Sequence, residues 1–308
     1  MLALWISLGV LGFLLIFLIS ILIAIHRIIF YSPKKGQNND LQLTESTQFL
    51  GLTDIITKLI TDLRDVPCEH VYTMSKDHKK LHSRLYRNKN SNRVVIMFHG
   101  YRGTARRDFS GAGMHMIKKG YNVLLVDERG HGESKGHSIT FGAKEKWDVL
   151  TWISFAKKEF GENIDLVLAG ISMGAASILF AAQYIDRPVK LICDCPFSTI
   201  EEVLCSFMRK LKLRVWYTWP LTKLSSLLIC HASLTKDDAS KSLKNSLAKA
   251  LIIHGEKDTV VDYNFSYRVY LENKEKVRYE LFPDTDHGVS YMTDTERYIR
   301  VIDEFIEN

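Results

Sequence analysis

The sequence of 308 residues lacks the features on which several classes of protein depend. It has no low-complexity tract, and no CxxC pair or HExxH segment suggests a metal site. The net charge is +6, but no long basic stretch with interleaved aromatic residues occurs, and this absence excludes a nucleic-acid footprint. We therefore predict no metal, no cofactor and no nucleic-acid partner.

Cysteine is scarce, with five residues in the chain. Cys193 and Cys195 alternate along an apolar run, which predicts that both thiols point to the same face of a strand. An odd number without clustered spacing favours small buried side chains in a reducing compartment over a disulfide framework.

Charge is absent from the N-terminal segment between Leu2 and Ile25. As a helix this segment spans about 36 Å, enough to cross a hydrocarbon core of about 30 Å. A cleaved signal peptide would instead have a basic start, a shorter apolar stretch and a small-x-small cleavage site. We therefore predict an uncleaved, single-pass transmembrane anchor at residues 1–30. Arg27, Lys34 and Lys35 follow the span, and the positive-inside rule places the remaining chain in the cytoplasm.

Residues 31–65 are predicted to form a polar linker followed by a short amphipathic helix. Apolar side chains recur at helical spacing between Leu52 and Leu63. This helix is expected to pack on the following domain, with the bilayer surface as the alternative.

Residues 66–308 are predicted to form one α/β domain, because short apolar runs alternate with helical stretches. Five runs are continuously apolar, as in a parallel sheet covered on both faces, and the first two alternate as an antiparallel edge hairpin does. The fold class is therefore α/β, a mostly parallel sheet with helices on both faces and functional residues at the carboxyl ends of the strands. The predicted strands are 71–75, 80–86, 94–99, 122–127, 166–169, 191–193, 250–254 and 278–282.

A G-x-S-x-G motif at residues 170–174 lies between a predicted strand and a predicted helix. In that context the serine occupies a sharp, strained turn with its hydroxyl above the sheet. Ser172 is therefore the candidate nucleophile. It requires a neighbouring base and an orienting carboxylate, because a serine hydroxyl is a poor nucleophile at neutral pH.

Both partners follow later strands. His287 comes after the last strand and is the candidate base, and Asp258 lies one loop beyond the preceding strand and is the candidate acid. Asp262 and Glu256 are its local rivals. Backbone N–H groups of Tyr101, in the loop after the 94–99 strand, and of Met173 are expected to form an oxyanion hole.

These motifs resemble those of the α/β-hydrolase superfamily, and most of all membrane-anchored or secreted esterases of its serine-aminopeptidase and dienelactone-hydrolase-like branch. They lie at residues 99–101, 127–134, 170–174, 254–258 and 286–288. The resemblance implies cleavage of carboxylic esters through an acyl-enzyme intermediate, with His131 in a structural role. Asp262 stands where family members often have proline.

The segment at about 196–245 is longer than a crossover helix requires, and its apolar helical patterns predict a helical lid over an apolar acyl pocket. The expected substrate is a small-molecule or lipid-like acyl compound. An amidase or peptidase, a thioesterase, an acyltransferase and a catalytically silent membrane-bound interaction domain remain alternatives.

Overall fold

An eight-stranded sheet forms the centre of the computed structural model, which describes residues 1–32, 49 and 51–308. The strands are β1 (Glu69–Met74), β2 (Lys80–Tyr86), β3 (Arg93–Phe98), β4 (Asn122–Asp127), β5 (Asp165–Ile171), β6 (Lys190–Asp194), β7 (Lys249–Gly255) and β8 (Val277–Phe282). Their order across the sheet is β1-β2-β4-β3-β5-β6-β7-β8. β1 and β2 are antiparallel to their neighbours and the remaining strands are parallel, so the predicted fold class is confirmed.

Helices cover both faces of the sheet, as the continuously apolar strands require. They are α1 (Leu2–Ile25), α2 (Thr53–Arg64), α3 (Ala105–Lys118), α4 (Glu145–Phe160), α5 (Met173–Ala181), α6 (Ile200–Lys210), α7 (Val215–Ser225), α8 (Ala239–Lys244), α9 (Tyr263–Glu272), α10 (Ser290–Thr293) and α11 (Thr295–Glu307). The strands divide their side chains between two cores. Val94 and Ile96 of β3 face one core with α4 and α5, and Val95 and Met97 face the other with α3 and α11.

Within the described residues, one helix, Leu2–Phe30, is long and apolar enough to cross a membrane. Its first turns project from the domain with exposed side chains, whereas its last turn, the π-helical His26–Phe30, packs into the domain. Phe30 is fully buried in the core and meets Phe141 edge to face at a centroid distance of 6.3 Å. The helix is thus fixed to the fold and does not hang from a linker.

The predicted amphipathic helix is α2. It packs on the domain through Ile56, Ile60 and Leu63, all fully buried. The linker predicted before it lies outside the described residues, apart from Tyr31, Ser32 and Phe49.

The predicted lid segment contains α6, α7, a π-helical turn (Ser226–Cys230) and α8. Trp219 and Met208 belong to the main core, whereas Trp216 is 75% exposed. Part of the segment is therefore core, and part faces outward.

The prediction for Cys193 and Cys195 is wrong. Cys193 belongs to one core and Cys195 to the other, because β6 ends at Asp194 and Cys195 adopts a positive φ of 45°. That turn interrupts the alternation on which the prediction relied.

Candidate active site

Ser172 occupies the sharp turn between β5 and α5. Its backbone is strained, with φ 53° and ψ −112°, a conformation that non-glycine residues rarely adopt. Its N–H donates to the carbonyl of Asp194 at 2.8 Å, which fixes the turn against β6. The predicted strand-turn-helix context is therefore present, with the serine at the carboxyl edge of the sheet.

The two glycines of the motif are required by close backbone contacts. A Cβ at Gly174 would lie 1.9 Å from the carbonyl oxygen of Phe98, and one at Gly170 would lie 2.5 Å from the backbone nitrogen of Ala175. Neither position can hold a larger residue without a backbone shift. The spacing of the motif thus follows from how tightly the turn packs against β3.

His287 and Asp258 meet at the same edge of the sheet. His287 Nδ1 lies 2.7 Å from Asp258 Oδ2, and both side chains are buried. The other oxygen, Oδ1, accepts the backbone N–H groups of Val260 and Val261 at 2.8 and 2.7 Å. These bonds fix the carboxylate, so it can hold the imidazole in one tautomer with Nε2 as proton acceptor.

The charges of the two side chains shift each other's pKa in the direction opposite to the effect of burial. Burial alone would lower the pKa of His287, but the charge of Asp258 and its hydrogen bond raise that pKa above its usual value. Burial would raise the pKa of Asp258, yet His287 and His254 hold it well below its ordinary range. The pair therefore stabilises an imidazolium next to a carboxylate, as proton transfer from a serine requires.

The rival acids lie elsewhere. Asp262 caps α9 by accepting the N–H of Asn264 at 2.9 Å, and Glu256 is exposed in the β7 loop. Neither contacts His287 in the described part of the chain. The geometry favours Asp258 as the orienting carboxylate.

Ser172 and His287 line one cavity of about 210 Å³. Most of its wall is apolar, from Phe49, Ile56, Phe141, Ile171, Phe197, Val203, Phe207, Val260, Val261 and Met292. Phe197, Val203 and Phe207 come from the predicted lid, and Ile56 comes from α2. This lining fits the hydrocarbon part of a ligand.

Tyr101 and Met173 also line the cavity. Met173 is the first residue of α5, where a backbone N–H has no acceptor within the helix. The positive end of the helix dipole lies at the same point and favours a developing negative charge. Both residues predicted to supply the oxyanion donors therefore line the same cavity as the candidate nucleophile.

His99 and His131 have structural roles. His99 Nε2 accepts the N–H of Glu128 at 3.0 Å, and His131 Nε2 accepts the N–H of Arg102 at 3.1 Å. Both imidazoles are fully buried and tie the loop after β3 to the loop after β4.

Sequence reasoning missed several neighbours of the site. Cys195 Sγ lies 3.8 Å from His287 Nε2, and His254 Nε2 lies 3.1 Å from Asp258 Oδ2. Among the described residues, no hydrogen bond joins Ser172 to His287. Asp194, beneath the turn, is fully buried, and burial raises its pKa to about 6. Asp194 and Cys195 lie at the carboxyl end of β6, the same edge of the sheet as Ser172, and this position in the sequence could have identified them.

Two arginines are the second omission. Arg107 and Arg102 line the cavity. Arg107 Nε donates to Asp108 at 2.9 Å, and Arg102 Nη2 donates to the carbonyls of Ile28 and Tyr31 at 2.9 and 3.2 Å. Arg102 thus places positive charge where the end of the N-terminal helix meets the cavity, whereas Arg107 is paired with Asp108, which also lines the cavity.

Comparison with known proteins places the chain among hydrolases. The family model described as "Serine aminopeptidase, S33" matches residues 89–246, just over half of the chain. Protein YqkD of Bacillus subtilis is 26% identical over 204 residues, which cover 63% of this chain and 65% of that protein. Lysophosphatidylserine lipase ABHD12 of Gallus gallus is 26% identical over 185 residues, which cover 58% of this chain and 47% of the lipase. The chain therefore matches less than two thirds of the length of these relatives.

Solved structures agree on the fold. The esterase Pf2001 of Pyrococcus furiosus superposes with a TM-score of 0.64 at 24% identity, covering 80% of this chain and 92% of the esterase. The strand order, the strained serine turn and the family match all agree with this similarity. The chain belongs to the serine aminopeptidase S33 family of α/β hydrolases.

Proposed function

We propose that this protein is a serine hydrolase that cleaves carboxylic esters with an apolar portion through an acyl-enzyme intermediate. The observation that supports the proposal best is the pairing of His287 with Asp258 at 2.7 Å beside the cavity that Ser172 lines. Asp258 orients the imidazole, His287 is the general base, and Ser172 is the nucleophile.

In the proposed reaction, His287 Nε2 accepts the proton of the Ser172 hydroxyl as Oγ attacks the ester carbonyl. The N–H groups of Tyr101 and Met173 stabilise the oxyanion of the tetrahedral intermediate. The C–O bond to the alcohol then breaks, and His287 returns its proton to the leaving alkoxide. Water, activated by the same imidazole, attacks the acyl-enzyme, and cleavage of the acyl–serine bond releases the acid and restores Ser172.

The position of the cavity supports a lipid-like substrate. Tyr101 donates its hydroxyl proton to the carbonyl of Ile29 at 2.7 Å, so the predicted oxyanion loop lies against the last turn of the anchor. An acyl chain would lie along the apolar wall, and Arg102 would face a polar or anionic head. A relative named as a lysophosphatidylserine lipase acts on a substrate of this chemistry.

Membrane attachment is part of the proposal. Helix α1 would cross the bilayer once as the anchor, with the hydrolase domain on the cytoplasmic side because Arg27, Lys34 and Lys35 follow the span. Wild-type protein should require detergent for release from membranes, whereas a variant that lacks residues 1–21 should be released by alkaline carbonate. The deletion leaves Phe30 in place, so the core of the domain should remain intact. Retention of the deletion variant in the membrane would refute the anchor. Digestion of the domain by protease added to intact cells would reverse the orientation alone.

Covalent labelling tests the nucleophile. We expect a fluorophosphonate probe to label the full-length protein in detergent at Ser172, and the Ser172→Ala protein to remain unlabelled. Ser177, which donates to the carbonyl of Met173 one turn further along α5, supplies the matched Ser177→Ala control. Labelling of the Ser172→Ala protein at the wild-type level would refute the assignment.

A substrate panel tests the reaction class. The wild-type enzyme, not exposed to the probe, should hydrolyse medium-chain acyl esters faster than the matching thioesters or aminoacyl amides. A preference for amides or thioesters would replace esterase activity with one of the alternatives. The absence of both labelling and turnover would favour an interaction domain.

A further inference from the structure

A second cluster of reactive side chains lies at the antiparallel edge of the sheet, away from Ser172. It consists of His70 on β1, His82 on β2 and Glu133 in the loop after β4. His70 Nδ1 lies 2.9 Å from His82 Nε2 and 3.2 Å from Glu133 Oε1, and His82 Nε2 lies 3.7 Å from the same carboxylate oxygen. Two imidazole nitrogens and one carboxylate oxygen therefore converge on one point.

Asp127 sets the tautomer of His82 from the side of the ring that faces away from the cluster. His82 Nδ1 lies 2.8 Å from Asp127 Oδ2, and the ring is completely buried. Asp127 also accepts a hydrogen bond from Arg84 Nη1 at 3.1 Å, through its other oxygen. With both oxygens of Asp127 acting as acceptors, the shared proton lies on His82 Nδ1, so Nε2 presents a lone pair to the cluster. A carboxylate behind an imidazole is the usual second layer of a zinc ligand.

Glu133 is also held in place. Its other oxygen, Oε2, accepts the hydroxyl of Tyr72 at 2.9 Å, and its backbone N–H donates to Asp127 Oδ2 at 2.9 Å. Asp127 thus supports both His82 and Glu133. The side chains of His70 and Glu133 are 45% and 39% exposed, so the point where the three ligands meet is open to solvent on one side.

The distances match the geometry of a metal site. Tetrahedral ligands about 2.05 Å from a zinc ion lie about 3.3 Å from one another. The three separations here, 2.9, 3.2 and 3.7 Å, are distributed around that value. Opening the His70–His82 pair by a few tenths of an ångström requires only a small movement of the exposed His70 ring.

We propose that His70, His82 and Glu133 bind a divalent transition metal of the zinc type, with water at the fourth position. On binding, His70 moves its proton from Nδ1 to the solvent-facing Nε2, and Nδ1 then donates its lone pair to the metal. No net proton is released by this change, and His82 already has the required tautomer.

The site would join the edge hairpin to the loop after β4. In the same loop, the carbonyl of Gly130 accepts the hydroxyl proton of Ser32, and His131 Nε2 accepts the N–H of Arg102. A metal at this point would therefore stabilise the loop that lies between the anchor and the oxyanion loop. The site does not involve Ser172, so its test is independent of the proposed hydrolase function.

Metal affinity tests the proposal directly. Tag-free, full-length protein in detergent is stripped with EDTA, dialysed and titrated with Zn²⁺ against a chromophoric chelator. We expect one equivalent to bind, with the Kd weakened at least tenfold in His70→Ala and in Glu133→Gln. His78→Asn is the matched control, because His78 is an exposed histidine in the β1–β2 turn with a φ of 59° that asparagine tolerates. Its Kd should equal that of the wild type.

Both variants lie at partly exposed positions, and their circular dichroism and thermal midpoints in EDTA should match those of the wild type. With Co²⁺ as the probe, visible d–d bands of a tetrahedral site should appear in the wild type and be lost in both variants. An unchanged Kd in both variants would overturn the assignment. Equal affinity for Mg²⁺ or Ca²⁺, or no Zn²⁺ binding by the wild type, would also overturn it.

Discussion

Replacement of Asp258 by asparagine tests the proposed triad most sharply, because the surrounding contacts decide how the new amide sits. Oδ1 accepts two backbone N–H groups, from Val260 and Val261. The amide oxygen of asparagine must take that position, since an NH₂ group there would face two donors. The NH₂ group then faces His287 Nδ1, which must become an acceptor and leave its proton on Nε2.

A protonated Nε2 cannot accept the proton of Ser172. We therefore expect kcat to fall by about 10⁴, the loss that an equivalent substitution causes in a serine protease. This loss corresponds to about 5.5 kcal/mol of transition-state stabilisation. Fluorophosphonate labelling should slow in parallel, while the fold and the cavity remain unchanged.

The same substitution predicts a pH effect of defined sign. In the wild type, Asp258 raises the pKa of His287, so kcat/KM should fall as the pH drops through a value above 6.5. In Asp258→Asn, burial dominates and lowers the imidazole pKa, so the acidic limb of the residual activity should move to lower pH. Hydrolysis of a soluble p-nitrophenyl ester between pH 5 and 9 measures both effects.

Asp262→Asn is the control. The asparagine can still cap α9, so activity should change little. If Asp262→Asn lost most of the hydrolytic activity and Asp258→Asn lost only a little, Asp258 would be the wrong acid. An unshifted acidic limb in Asp258→Asn would refute the electrostatic account of His287.

Three further outcomes follow from packing and burial. Phe30→Ala should lower the free energy of unfolding by about 3–5 kcal/mol in urea titrations, and a smaller loss would mean that the end of the N-terminal helix does not complete the core. Gly174→Ala should abolish labelling and folding because its Cβ would meet the Phe98 carbonyl, whereas Gly113→Ala, with ordinary contacts inside α3, should keep both. Glu128, buried with both carboxylate oxygens unpaired, has its pKa raised by burial and by nearby carboxylates. Its ionisation costs stability as the pH rises above the unfolded pKa, so Glu128→Gln should raise the thermal midpoint at pH 8 and leave it nearly unchanged at pH 5.

The sheet could be predicted because a strand buried on both faces leaves a continuous apolar run. β4 begins and ends where the sequence places it, at Asn122 and Asp127. β5 is longer than its apolar core because exposed Asp165 and the strained turn after Ile171 add residues without a hydropathy signal. The candidate site could be predicted for the same reason, since Ser172, Asp258 and His287 all follow strand ends.

Contacts that depend on the pairing register of the strands could not be predicted from the sequence. His70 and His82 are neighbours because β1 and β2 pair Tyr72 with His82, and no spacing rule reveals that register. Phe30 could not be separated from the membrane span, since side chains that face lipid and side chains that face a protein core are equally apolar. The strained turn at Cys195 is also invisible in the alternation of residues.

The buried end of the N-terminal helix has a mechanical consequence. Because Leu22 is already buried against the domain, the free part of helix α1 is residues 2–21, which is about 30 Å long and matches a hydrocarbon core of about 30 Å. Such a helix fits a thinner bilayer by tilting. Because Phe30 and the hydrogen bond from Ser225 to the carbonyl of Leu22 lock the helix to the domain, any tilt must rotate the whole domain by the same angle. Bilayer thickness would then set the angle at which the cavity meets the lipid surface.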